Sequence, residues 1–213
     1  MEFPDQLTEL IPITEILNYQ CKSRESVNSL YSNLPDVLIP ILIGKLREQD
    51  YCFSQVIRLC IDEETLSNVG ICSGYNEVSL SCQNKQYRFY IYSIDLVFLK
   101  NGSVKGRHSE ALIVDSLFQT IEFFEPNGPV VSWYTIVSSF LENEFSALLP
   151  NYKYLSTIEF CPMIGPQAIS EEGICGAFSL LFILLRVFNI QHTSGEIMTW
   201  VRPTLEFMCA KHT

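Results

Sequence analysis

From Tyr87 the chain alternates. Tyr87, Phe89, Ile91 and Ser93 fall on one face of an extended segment, and Arg88, Tyr90, Tyr92 and Ile94 fall on the other. With Leu96 to Leu99 following, this composition predicts strand. Asn101-Gly102 is a turn signal. Ala111 to Val114 and Ile121 to Phe124 predict two further strands, the second running into Glu125-Pro126-Asn127-Gly128. Val131 to Leu149 has helical spacing, with Trp133, Ile136, Val137, Phe140 and Leu141 on one side, and Tyr154 to Phe160 is expected to be strand. The segment from about Glu172 to Phe188 is apolar on nearly every face, which predicts a central, buried helix. Residues 1 to about 70 are expected to be mainly helical, over Thr14 to Tyr19, Val37 to Gln49 and Ser54 to Ile61, with Pro35 and Pro40 blurring the boundaries. The expected fold is α+β: a helical N-terminal part, then a central antiparallel or mixed sheet packed on a buried helix. The expected division is an N-terminal helical accessory region over 1–75 and a core over 76–213. There is no internal repeat or low-complexity linker.

Composition narrows the classes of function. The 213 residues are 47% hydrophobic and 18% charged, as in a globular chain with a sizeable core. A net charge of -10 argues against nucleic acid or an anionic membrane as partner, since both are polyanions. The start, MEFPDQLTELIP, has no basic residue ahead of an apolar stretch and is not expected to be a secretory signal. The apolar runs Val37 to Ile43 and Leu180 to Leu185 fall short of the ~20 residues a membrane span needs. Eight cysteines without a leader point to a reducing, cytoplasmic setting in which they remain thiols. No two cysteines stand two to four residues apart and there are three histidines, so neither a metal nor a cofactor is expected.

One thiol is placed differently. In GPQAISEEGICGAFSLLFILL, Ser170 with Glu171 and Glu172 is a helix-cap signal, and Cys175 follows in the first turn between Gly173 and Gly176. A helix N-terminus lowers a thiol pKa and makes a nucleophile, which then needs a base and an orienting group. His192 lies 17 residues beyond Cys175, roughly 25 Å along a continuous helix. His212 is penultimate, which leaves His108. If the strands around Ala111 and Ile121 form a hairpin over Ser116 to Gln119, opposed residue numbers sum to about 233 to 235, and Glu125 faces His108. Asp115 is ~23 Å away at the other end of its strand, and Glu122 points to the other face. Helix-start amides and the side chain of Gln167 are candidate oxyanion donors. Blander readings stay open here: Cys175 as a core thiol like the other seven, His108 as a strand-edge surface residue, Glu125 as the acid before a turn, Gln167 as a loop cap. Cys161 is a rival nucleophile without a helix start.

His108, Glu125, Gln167 and Cys175 stand in the order His, Asp or Glu, Gln, Cys. In this the chain resembles the adenovirus-type and Ulp-type cysteine proteases over roughly residues 85 to 190. The likeness lies in "HSEALIVDSLFQTIEFFEPNG", in Cys161-Pro162 ahead of Gly165-Pro166-Gln167, and in Cys175-Gly176, features shared with sequences from large DNA viruses infecting eukaryotes. The resemblance implies a papain-like core over 76–213. It implies His108 as base, Glu125 as its orienting acid, Gln167 at the oxyanion and Cys175 as nucleophile. It also implies endoproteolysis of viral structural precursors. Two departures are Ser109, where many ubiquitin-like-protein proteases have Trp, and a Gln167-to-Cys175 spacing of eight. The alternatives are a deubiquitinase or deSUMOylase acting on ubiquitin-like conjugates, and a non-catalytic protease-like capsid or binding protein.

Overall fold

The computed structural model describes residues 51–66, 69–72, 78, 86–161, 164–169 and 175–199. The expected helices at Thr14 to Tyr19 and Val37 to Gln49, and the Ser170–Glu172 cap, lie outside the described residues. Strands β1 (Tyr51–Asp62), β2 (Val69–Ile71), β3 (Phe89–Lys100), β4 (Ser103–Asp115), β5 (Thr120–Phe124) and β6 (Lys153–Leu155) form one sheet in the order β2-β1-β3-β4-β5-β6. The β1/β3 and β5/β6 pairs are parallel and the others antiparallel. Helix α1 (Tyr134–Leu148) precedes β6, and α2 (Thr157–Phe160) follows it. A 3₁₀ turn (Pro166–Ile169) leads to α3 (Cys175–Phe188). Helices and a mixed sheet thus make up an α+β fold.

Both faces of the sheet are covered, which is why β4 carries the unbroken apolar run Ala111 to Val114. On one face Val137, Leu141 and Phe145 of α1 pack with Tyr92, Leu112 and Phe123. On the other, Phe178, Phe182 and Leu185 of α3 pack with Phe89, Ala111, Ile113 and Phe124. Phe124 and Phe182 stack with ring centroids 4.4 Å apart. Asn101 and Gly102 both adopt positive φ (51° and 72°), closing the β3–β4 hairpin with the two-residue loop their sequence signals.

Three expectations are corrected. Ser54 to Ile61 is strand, not helix: it lies within β1, paired with β3, so the sheet starts upstream of residue 76. The apolar residues Val56, Ile57, Leu59 and Ile61 suit a strand set between two others, and so short a run does not separate the two periods. Tyr154 to Phe160 is strand only through Leu155. Ser156 then opens α2, its N–H donated to Glu159 Oε2 at 2.6 Å in a capping box. Finally, among the described residues Cys52, Cys60 and Cys72 are not thiols. β1–β2 pairing sets Cys60 beside Gly70 and brings Cys72 within a Cα separation of 5.0 Å, where the two form a disulfide. Cys52 is also disulfide-bonded. The thiol argument for a reducing compartment does not extend to these three. Among the described residues no helix is long and apolar enough to cross a membrane.

One charge sits in the otherwise apolar α3. Arg186 is 1% exposed and donates to Asp115 Oδ2 at 2.8 Å and to Glu122 Oε2 at 2.8 Å. Burial opposes its charge, and hydrogen bonds and charge from Glu122 and Asp115 outweigh that, so it holds its proton more firmly than usual. This ion cluster fixes α3 on the β4–β5 hairpin and accounts for two carboxylates that face away from His108.

Candidate active site

Three of the four expected residues meet at one end of β4. The β4–β5 ladder runs from Asp115↔Thr120 to Ala111↔Phe124, a constant sum of 235, the upper end of the expected range. β5 stops at Phe124, so His108 lies three residues past the last pair and Glu125 stands where β5 would have continued. The backbone of Glu125 is anchored by Thr157, whose hydroxyl accepts from Glu125 N and donates to Phe123 O, both at 2.8 Å. Its carboxylate meets His108 Nε2 at 2.8 Å through Oε1 and 3.0 Å through Oε2. Both side chains are buried.

Cys175 comes from the other side, as the first residue of α3. Ser109, next to His108 on β4, donates its backbone N–H to Cys175 Sγ at 3.3 Å, and Ser179 Oγ donates to Ser109 O at 3.0 Å. These two bonds lock the first turns of α3 onto the histidine strand. With Nε2 committed to Glu125, Nδ1 is the ring nitrogen left for Cys175. Burial alone would make His108 a weaker base. Hydrogen bonds to Cys175 and Glu125, and the charges on both, overcome it and push its pKa up to about 9. At neutral pH the ring is therefore an imidazolium between two acids.

Glu125 is held as their counterpart. Burial would raise its pKa, but bonds from His108, Glu110 and the Asn127 amide outweigh it and keep the carboxyl below the usual range. Asn127 N donates to Oε1 at 2.8 Å and Trp133 Nε1 to Oε2 at 3.1 Å. The sequence reading missed Trp133. Its indole also packs edge-on against His108, with centroids 5.5 Å apart, so an aromatic ring from the start of α1 shields the imidazole.

Gln167 is placed by the turn that follows Glu125. Its N–H donates to Pro126 O at 2.9 Å, and Gly165 N donates to Asn127 O at 2.8 Å. A Cβ at Gly165 would stand 2.3 Å from Gly128 N and Pro126 O, so only glycine lets the two segments touch. Gln167 is buried, and its 3₁₀ turn contacts α3. Cys161 is buried in the core under α3 and ends α2, which removes it as the rival nucleophile. His192 sits beyond the far end of α3 beside Glu196, away from the site.

No protein-family model matches the chain, and no curated protein matches it. What the site can do therefore follows from its own chemistry.

A carboxylate oxygen from each of Glu110 and Glu125 and a ring nitrogen of His108 lie within 4.8 Å of one another. His108 Nε2 is bonded to Glu125, and Asn127 and Trp133 also donate to that carboxylate, so its oxygens are taken up by protein donors. A cavity of about 590 Å³ at the opposite end of β4 is lined by Arg88, Tyr90, Ser116 and Leu117 and contains none of the four residues.

Proposed function

We propose that the protein is a cysteine endopeptidase acting on protein precursors. The observation that carries this is the convergence of Cys175, at the N-terminus of the central helix and 3.3 Å from the Ser109 N–H, with the neighbouring His108, whose imidazole is held by the buried Glu125. With the Cys175 proton already held by His108 as imidazolium, the thiolate sulfur attacks the scissile carbonyl. The tetrahedral oxyanion is met by the Cys175 amide and the side chain of Gln167. As it collapses, the C–N bond breaks and His108 gives its proton to the leaving amine. Water, deprotonated by His108, then releases the acyl group and restores the thiolate–imidazolium pair. Viral structural precursors are the substrate class that the resemblance to adenovirus-type proteases favours, with the host cytoplasm or the virion as the place of action.

The test is incubation of the protein with a complex peptide mixture and identification of new N-termini, beside Cys175→Ala. Discrete cleavages absent from the variant are expected. Because His108 must be protonated to serve the leaving amine, the rate should fall as pH rises through about 9. Capture of a Gly-Gly-ended ubiquitin-type probe without peptide cleavage would point to the isopeptidase reading. No turnover of either would leave a protease-like binding protein.

A further inference from the structure

Glu110 is a second buried acid at the site, and the mechanism above gives it no task. It lies on β4 two residues from His108, on the same face, and is 0% exposed. Among the described residues no donor meets either of its oxygens with hydrogen-bonding geometry. An ionised carboxylate so placed is costly. What faces it is Glu125: the register sum of 235, continued by one pair, sets Glu110 opposite Glu125, and oxygens of the two acids lie within 4.8 Å. Two carboxylates that close in a dry site do not both ionise, so one keeps a proton. Glu125 already receives bonds from His108, Asn127 and Trp133 that favour its charged form. The proton therefore belongs to Glu110.

We propose that Glu110 is a positioning residue of this site: as a neutral carboxylic acid it donates its proton as a hydrogen bond to Glu125 and holds that carboxylate aimed at His108. Burial first, and then the charge on Glu125, raise its hold on the proton well above that of an ordinary glutamate. The ionisable groups around it are His108 on its own strand, Glu125 beyond β5, Cys175 on α3, and the phenol of Tyr154 from β6. The Trp133 indole, from the start of α1, weakly favours the charged form and is outweighed by burial and by Glu125. With Glu110 neutral, the thiolate, imidazolium and Glu125 carboxylate leave the array with one net negative charge instead of two.

The role in catalysis rests on the peptidase reading; the protonation state does not, and the experiment separates them. Infrared difference spectra at pH 7 of the full chain against Glu110→Gln should show the C=O stretch of a protonated carboxyl lost in the variant. NMR titration of His108 should give the same midpoint in Glu110→Gln, which keeps a donor to Glu125, and a higher midpoint in Glu110→Leu, which removes it. A missing carboxyl band, or a fall of about 1–3 units in the His108 midpoint of Glu110→Gln, as expected when a nearby negative charge is removed, would overturn the proposal. On peptide substrate, Glu110→Gln should retain kcat and Glu110→Leu should lose it at constant KM. Equal loss in both would overturn the positioning role. Absence of cleavage by the wild type, with the band and titrations as expected, would count against the peptidase reading alone.

Discussion

Substitution of His108 by alanine is expected to lower the rate of peptide hydrolysis by roughly 10²- to 10⁴-fold, the range for loss of a positioned acid–base group. Nothing else described at the site replaces it. His192 lies at the other end of α3, and Glu125, stripped of its bond to the ring, does not face the sulfur. The variant should remain folded, because Asn127 and Trp133 still donate to Glu125 and the two sheet faces are packed without His108. Measured kcat/KM beside an unchanged far-ultraviolet circular dichroism spectrum checks it. A folded variant retaining wild-type kcat/KM would remove His108 from the mechanism.

The second large effect is on stability. Arg186→Leu is expected to destabilise the fold by about 3–5 kcal/mol, the usual cost of removing one member of a buried ion cluster. The added leucine suits the apolar helix, but Asp115 and Glu122 lose their shared cation. Asp115 keeps a second, weaker partner in Arg88 at 3.2 Å, whereas among the described residues Glu122 keeps only hydroxyl donors from Thr120 and Ser194. Urea denaturation of Arg186→Leu and of Arg186→Leu with Glu122→Gln should show part of the loss recovered in the double variant, because the stranded charge is gone. A shift smaller than about 1 kcal/mol would mean the cluster is not what fixes α3.

The middle of the chain was legible because its patterns are local. Alternation at Tyr87 to Ile94, the Asn101-Gly102 turn and the all-round apolar segment after Cys175 each predict one element, and each is present. Hairpin numbering put His108 and Glu125 at the same end and on the same face of the sheet. The range of 233 to 235 admits either His108 or Glu110 opposite Glu125, and the observed sum of 235 sets Glu110, not His108, there. β1 was not legible, because its partner β3 lies 37 or 38 residues further along in a parallel pairing that no local pattern reports. The Cys60–Cys72 bridge depends on that same strand and its β2 neighbour. Trp133 was expected as a core residue of a helix face; only the tertiary fold turns its N–H toward Glu125.

The most direct test of the central claim is the pH dependence of Cys175 alkylation, read as intact mass after limiting iodoacetamide in wild type and His108→Ala. The convergence of Cys175, His108 and Glu125 predicts a single fast adduct on Cys175 at neutral pH, a rate already at its plateau there, and a large slowing in His108→Ala. Cys161, 4% exposed in the core, should stay unlabelled. A rate that instead climbs through the ordinary thiol range near about 8.5, shared with other cysteines and indifferent to His108, would contradict it.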